Sequence, residues 1–478
     1  LCGHAHDRRY GLETGPDSHT RSGRRAGFQG CETAQGQDLC KAGLVAGDER
    51  DPQHSGSCFQ EDEAVSAARR LATDQGESLM RSTLVMKAVF VLLACMAAYC
   101  AVLFQDAHLL GRDRIPTDFD AFYDAGTMAL RGDVAGAYDI EAMMAEQNKD
   151  SDERVFMPWT YPPPYTLAMA GLSMMPVGLA YFLFISISGL AYLAVLRKLT
   201  GPYFPGAMVA MMPAMAIVVR TGQNGFLTGA LVGLFMLAFM NAKVWAGIPL
   251  GLMIIKPHLA VGISLLSLLG RRWGAMAVAA AIVLVTLAVS TLVFGAGVWP
   301  AFMGSVRDST GFLAAAFYPL ERMTSFYATF RTLGASAEVS MLAQIVSAFV
   351  ALGVIVWGWW RNLPPRYLAA LVCVASLFIS PYNYDYDLMI FGVSVALLLP
   401  DFVKKSKPLE RFGVFALIWV ASGIGMLLQF SKEGVVDFSK PETMLTSSSI
   451  ASILIIIISV FSAIVLMRKP HQRVDLVS

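Results

Sequence analysis

The sequence predicts an all-α protein embedded in a membrane and crossing it about 12 times. Three observations carry that expectation. Hydrophobic residues fill 55% of the 478 positions and charged residues only 15%, with a mean hydropathy of +0.53; a soluble domain carries about a quarter charged residues. The apolar residues come in runs near the ~20 residues that a helix needs to cross a bilayer. Lys and Arg collect at alternate turns between those runs, as the positive-inside rule requires. The two-residue alternation of an outer-membrane barrel is absent.

Residues 1–79 stand apart. They hold 9 Lys/Arg against 13 Asp/Glu, while the remainder holds 28 against 23, an excess that bears on orientation and not on nucleic acid. They also contain His4, His6, His19 and His54, and Cys2, Cys31, Cys40 and Cys58, at spacings that match no zinc pattern. With almost no periodic apolar pattern, this segment reads as a disordered tail. Cys95, Cys100 and Cys373 lie in apolar runs, where cysteine ordinarily packs.

The apolar runs fall near 83–104, 177–196, 204–219, 224–241, 243–256, 257–269, 273–295, 340–360, 366–380, 386–400, 411–429 and 446–467. Two short helices are expected to meet at Lys256-Pro257, because proline cannot donate the helical hydrogen bond. With the N-terminus inside, the inner turns carry Arg81, Arg197-Lys198, Lys243, Arg271-Arg272, Arg361 with Arg366, Lys404-Lys405-Lys407-Arg411 and Arg468-Lys469. Both ends of the membrane domain (80–470) then face the cytoplasm, including a short tail at 471–478. Loops 105–163, 296–339, 380–387 and 430–445 face outward.

Polar residues capable of chemistry gather on that outer face. "DFDAFYDAGTMALRGD" sets Phe119, Phe122, Tyr123, Gly126 and Leu130 on one stripe at helical spacing, which suits a helix lying along the interface. Asp118 and Asp120 sit at its start, as N-terminal caps or as chemically active carboxylates. In "FMPWTYPPPYTLAMAGLSMMP" the prolines after Tyr161 forbid a helix at that point, and 165–175 reads as a half-inserted helix. "VVRTGQNGFLTGALVGL" brings Arg220, Gln223 and Asn224 to the outer end of two runs, with Lys256 and His258 one hairpin later. Arg220 and Lys256 together look like a seat for a phosphate. Arg322 and Arg331 flank a further amphipathic stretch, and "ISPYNYDYDLMIF" places Asp385 and Asp387 among Tyr382, Tyr384 and Tyr386. No metal-binding motif is visible.

The succession of the Asp118 element, "YPPP", "GQNGFLTGAL", "GLMIIKPHLA", "LLGRRW", "MTSFYATFRTLG" and "SPYNYDYDL" resembles glycosyltransferase family 87 over roughly residues 83–400. "QNG" followed by "KPH" at this spacing carries most of the specificity. The resemblance implies a GT-C fold in the cytoplasmic membrane, with the active site outside. The donor would be a polyprenyl-phosphate sugar, acting as co-substrate with no tightly bound cofactor, and the acceptor a lipid or glycan. A hexose such as mannose would be transferred with inversion. By position Asp118 matches the family's catalytic acid, with Asp120 second. Arg220, Lys256 and His258 would meet the phosphate, joined by Arg331, with Gln223, Asn224, Tyr384 and Asp385 also near the substrate. Some relatives carry a His where this chain reads "YNYDYD", which leaves the part of Asp385 and Asp387 open.

The rival readings are a secondary transporter or flippase, for which the halves show no self-similarity, and a non-catalytic binder of lipid-linked sugars. "MRSTLVMKAVFVLLACMAAYC" from Met80 reads as a start followed by a first span, with residues 1–79 as upstream sequence. Mass spectrometry of the protein from its native membrane is expected to find an N-terminus at Met80, and a peptide from residues 1–79 would overturn this.

Overall fold

Helices follow the apolar runs. The computed structural model describes residues 83–105, 117–149, 156–431 and 448–468; the 1–79 tail, the 471–478 tail and most of loop 430–445 lie outside the described residues. Helix α1 (Thr83–Gln105) precedes α2 (Asp118–Leu130), α3 (Ile140–Gln147) and α4 (Pro163–Leu172). Next come α5 (Val177–Thr200), α6 (Phe204–Thr221), α7 (Gly225–Met240), α8 (Gly247–Leu252), α9 (Pro257–Leu269) and α10 (Trp273–Phe294). The chain continues through α11 (Val298–Ala314), α12 (Phe326–Thr332), α13 (Ala337–Trp360), α14 (Pro365–Ser376), α15 (Met389–Lys405), α16 (Pro408–Phe430) and α17 (Ala451–Met467). Among the described residues no strand forms, and β pairing is confined to an isolated antiparallel bridge between Met323 and Tyr384.

Six helical stretches are long and apolar enough to cross a membrane: 83–105, 177–221 (α5 and α6 together), 273–294, 337–360, 385–405 and 408–429. The segments 225–240, 244–255, 257–269, 365–376 and 451–467 are shorter. At 1.5 Å per residue, a helix as short as α9 reaches about 20 Å, against a hydrocarbon core of about 30 Å. The expectation of about 12 spans counted apolar runs; by length, six stretches qualify among the described residues. Lys256 leaves the helical region (φ −140°, ψ 74°) between α8 with its following turn and α9, which begins at Pro257.

Two local expectations are corrected. The prolines of "YPPP" do not forbid a helix: α4 starts at Pro163, because first-turn N–H groups need no helical partner. The aromatic stripe of α2 does not face lipid. Phe119 and Phe122 are buried, with Phe122 5.3–5.7 Å from the rings of Tyr161, Tyr165 and Trp159 and Phe119 5.4 Å from Tyr181. Gly126 lets α2 close on α4, where a Cβ would meet the Met169 carbonyl oxygen at 2.6 Å.

Depth follows composition. Helix α7 is apolar on every side and buried on nearly every side, with Gly229 against Tyr192 of α5 and Met389 of α15. Helix α10 buries only Ala275, Ala279 and Ser290, and its exposed Leu284 and Leu292 form the kind of apolar surface that lipid covers. At the end of the bundle where α5, α15 and α17 finish, basic side chains occupy backbone carbonyls. Arg366 donates to Leu199 (2.7 Å), to Ala396 (3.4 Å) and to Leu397; Pro400 cannot serve the Ala396 carbonyl from within α15. Lys405 donates to Leu466, and Arg468 pairs with Glu410 at 2.7 Å.

Helix α15 runs from that end to the opposite one, where its entry turn presses on the start of α7. A Cβ on Gly225 would lie 2.2 Å from the Tyr386 carbonyl oxygen, whereas one on Gly353 in α13 would meet nothing within 4 Å. Gly225→Ala is therefore expected to destabilise the protein by about 1–3 kcal/mol, while Gly353→Ala leaves it unchanged or raises it slightly. Thermal unfolding of the two variants in detergent checks the contrast.

Candidate active site

Six segments converge at the end of the bundle opposite the basic carbonyl caps. They are the start of α2, the Tyr161 segment before α4, the α6–α7 turn, the α8–α9 break, the 3-10 turn Leu320–Arg322 and the 3-10 turn Asp385–Leu388. The last two are pinned together by backbone. The Met323–Tyr384 bridge joins them, the Thr324 N–H donates to the Asn383 carbonyl at 2.7 Å, and Ser449, just before α17, donates to the Met323 carbonyl at 2.6 Å.

On this frame sit Asp118, Asp385 and Asp387 with the cations Arg322 and Lys256, and Glu321 is buried in the same turn as Arg322. Arg322 holds Asp385 in a two-pronged pair, Nε to Oδ2 and Nη2 to Oδ1, both at 2.9 Å. Lys256 Nζ donates to Asp387 Oδ1 at 2.8 Å. All four residues are buried. The other oxygen of Asp387, Oδ2, accepts from the Tyr384 N–H (3.1 Å), and Asp385 Oδ1 accepts a second hydrogen bond, from the Tyr386 N–H (2.9 Å). The Tyr386 ring is near both cations, 4.7 Å from Lys256 Nζ and 5.8 Å from the Arg322 guanidinium carbon, and stacks on Tyr384 at 5.1 Å.

Asp118 is the third of these aspartates, and it has no ion pair among the described residues. Its Oδ1 accepts from Gln223 Nε2 at 3.1 Å, and its side chain is half-buried. Burial raises its proton affinity above the usual carboxylate range; Arg322 opposes this most, followed by the Gln223 hydrogen bond, while Asp385 adds to it and Lys256 opposes it further. Tyr161 donates to Gln223 Oε1 at 3.2 Å. Burial, with Asp387 and Asp118 nearby, pushes the Tyr161 hydroxyl far upward, so it remains a proton donor.

The sequence-derived candidates divide accordingly. The structure brings together Asp118, Gln223, Asn224, Lys256, Tyr384 and Asp385. Asn224 is fully buried beside Tyr161 and Tyr165. Asp120 is occupied as a cap, its Oδ2 accepting from the Thr117 N–H (2.6 Å) and hydroxyl (3.1 Å). Arg220 stands exposed in the last turn of α6 without an ion pair among the described residues. His258 lies two residues after Lys256, and its buried Nε2 has no hydrogen-bond partner among the described residues. Arg331 donates to the carbonyls of Ala335 (3.0 Å) and Ala314 (3.2 Å), holding a turn. Arg322, not Arg331, is the arginine that enters the cluster. Its local sequence carries no distinguishing sign; the available signal was that two carboxylates at 385 and 387 beside a buried run need two cations, and Lys256 supplies one.

The geometry shows a carboxylate left unneutralised beside two buried cations at a membrane-helix junction. Residues 159–381 match the model of glycosyltransferase family 87. That segment is similar to family 87 glycosyltransferases. It lies within a chain with several helical stretches long and apolar enough to cross a membrane, as suits a membrane glycosyltransferase. No curated protein and no solved structure matches the chain. The family 87 match takes in Tyr161, Gln223, Asn224, Lys256, His258, Arg322 and Arg331, while Asp118, Tyr384, Asp385 and Asp387 lie beyond its limits.

Arg322→Leu leaves Asp385 buried and unpaired, and is expected to cost about 3–5 kcal/mol. Arg322→Leu/Asp385→Leu should recover much of that loss, and Arg220→Ala should lie within about 0.5 kcal/mol of the parent. Unfolding in detergent reads all three.

Proposed function

We propose that the protein transfers a hexose, mannose being the simplest choice, from a polyprenyl phosphate to a hydroxyl of a lipid or glycan acceptor on the extracytoplasmic face. The observation that supports it is the contrast among the three aspartates. Asp385 and Asp387 are each held by a cation, while Asp118 is held by a neutral amide, with no ion pair among the described residues, and keeps its basicity.

Asp118 takes the proton of the acceptor hydroxyl as that oxygen attacks the anomeric carbon. The bond from that carbon to the phosphate oxygen breaks, and polyprenyl phosphate leaves with the electron pair. Attack and departure on opposite faces invert the configuration. A phosphate leaving group needs no proton, so one base suffices, and nearby cations stabilise the charge that develops. Lys256 and Arg322 suit that role. Arg322 commits Nε and Nη2 to Asp385 and retains Nη1, and Lys256 retains ammonium protons beyond the one given to Asp387. Their carboxylate partners keep both cations oriented before the donor arrives. Membrane lipids and the donor itself are the partners this reading requires, with no tightly bound cofactor.

Asp118→Asn is expected to lower transfer by about 10²–10⁴-fold in membranes supplied with radiolabelled polyprenyl-phosphate mannose; near-parental turnover by well-expressed protein would refute the assignment. The pH profile adds a sign. A base must be unprotonated, and burial raises the proton affinity of Asp118, so kcat/KM should fall with decreasing pH at a value above the usual carboxylate range.

A further inference from the structure

We propose that Gln223 is a positioning residue for Asp118, with its amide orientation set by Tyr161 and the Asn224 backbone, and does not itself bind substrate. The inference rests on Asp118 acting as the base.

Orientation is the first part of the argument. An amide side chain can place either its oxygen or its NH2 toward a neighbour. Here Oε1 accepts from the Asn224 N–H at 2.9 Å and from the Tyr161 hydroxyl at 3.2 Å. A backbone N–H can only donate, so the oxygen belongs on that side. The NH2 then faces Asp118 Oδ1. The flipped amide would set oxygen against carboxylate oxygen and NH2 against N–H, two repulsive contacts in place of two bonds.

Placement is the second. Gly222 ends α6 in the left-handed region (φ 69°) and has no side chain where a Cβ would lie 2.4 Å from the Phe119 Cβ. Phe119 is the next residue after Asp118, so this contact fixes the start of α2 against the turn that carries Gln223. Gly225, on the other side of "GQNG", abuts the Tyr386 carbonyl. The turn is therefore clamped between Phe119, beside the base, and the Tyr386 backbone.

Burial is the third. Gln223 is only 3% exposed, and its oxygen and its NH2 both already have protein partners. It offers a substrate almost nothing. What it does is secure one oxygen of Asp118 and leave Oδ2 for the acceptor hydroxyl, with the carboxylate plane set before binding.

The test uses the full chain in membranes with radiolabelled polyprenyl-phosphate mannose, comparing Gln223→Glu, Tyr161→Phe and Asp118→Asn. Gln223→Glu replaces the donor with a like charge, which raises the Asp118 proton affinity. The acid limb of kcat/KM should move up by about one pH unit, and kcat should fall roughly 10–100-fold with the donor KM little changed. Tyr161→Phe removes only a hydroxyl, and should shift the limb the same way by less; if Gln223→Glu fails to accumulate, this variant decides alone. An unmoved acid limb with a raised donor KM would overturn the proposal and return Gln223 to substrate binding. Should Asp118→Asn keep its turnover, the base assignment itself fails. An inactive Asp118→Asn beside unshifted Gln223→Glu and Tyr161→Phe profiles rejects the positioning role alone.

Discussion

Asp385 and Asp387 enter the protein two residues apart where α15 begins, and a carboxylate left unpaired in such surroundings costs several kcal/mol. The surrounding architecture answers that demand. The 3-10 turn at 320–322 is drawn against the acidic turn so that Arg322 reaches Asp385, and the break between α8 and α9 delivers Lys256 to Asp387. The Met323–Tyr384 bridge and the Ser449 hydroxyl lock the backbone that makes the first pair possible. The Tyr386 ring is within reach of both cations and stacks on Tyr384.

Charge asymmetry follows from that arrangement. The pairing of two aspartates with two cations leaves Asp118 without a direct counter-ion among the described residues, yet within the field of both cations. A base must be accessible and basic, while its neighbours must stabilise negative charge that appears later at the phosphate. Pairing the cations with dedicated carboxylates separates the two requirements. The cations stay fixed, and Asp118 is not quenched by a salt bridge. Helices broken short of the membrane's thickness, notably α8 and α9, are what bring a lysine to this depth.

Legibility differed by level. The apolar runs located the helices to within a few residues because hydropathy is a property of consecutive residues. The break at Lys256-Pro257 was legible because proline acts on its own backbone. Misreadings arose where two interpretations share one local pattern. The Phe119–Phe122 stripe has the spacing of an interfacial helix, yet it packs on Trp159, Tyr165 and Tyr181. "YPPP" looked like a helix breaker, and its later prolines instead begin α4. Arg322 and Arg331 are equivalent by spacing, and only contact tells an ion-pair partner from a residue that holds a turn.

By itself the sequence determined that this chain is helical and membrane-embedded, where its helices break, and which motifs to compare with glycosyltransferases. Those features depend on composition and on neighbours a few residues away. The tertiary structure alone decided which charges pair and which carboxylate has no ion pair among the described residues. Gln223 reaches Asp118 across 105 residues, Arg322 reaches Asp385 across 63, and Lys256 reaches Asp387 across 131. A buried charge selects its partner by distance in space, and no local pattern in the chain records that distance.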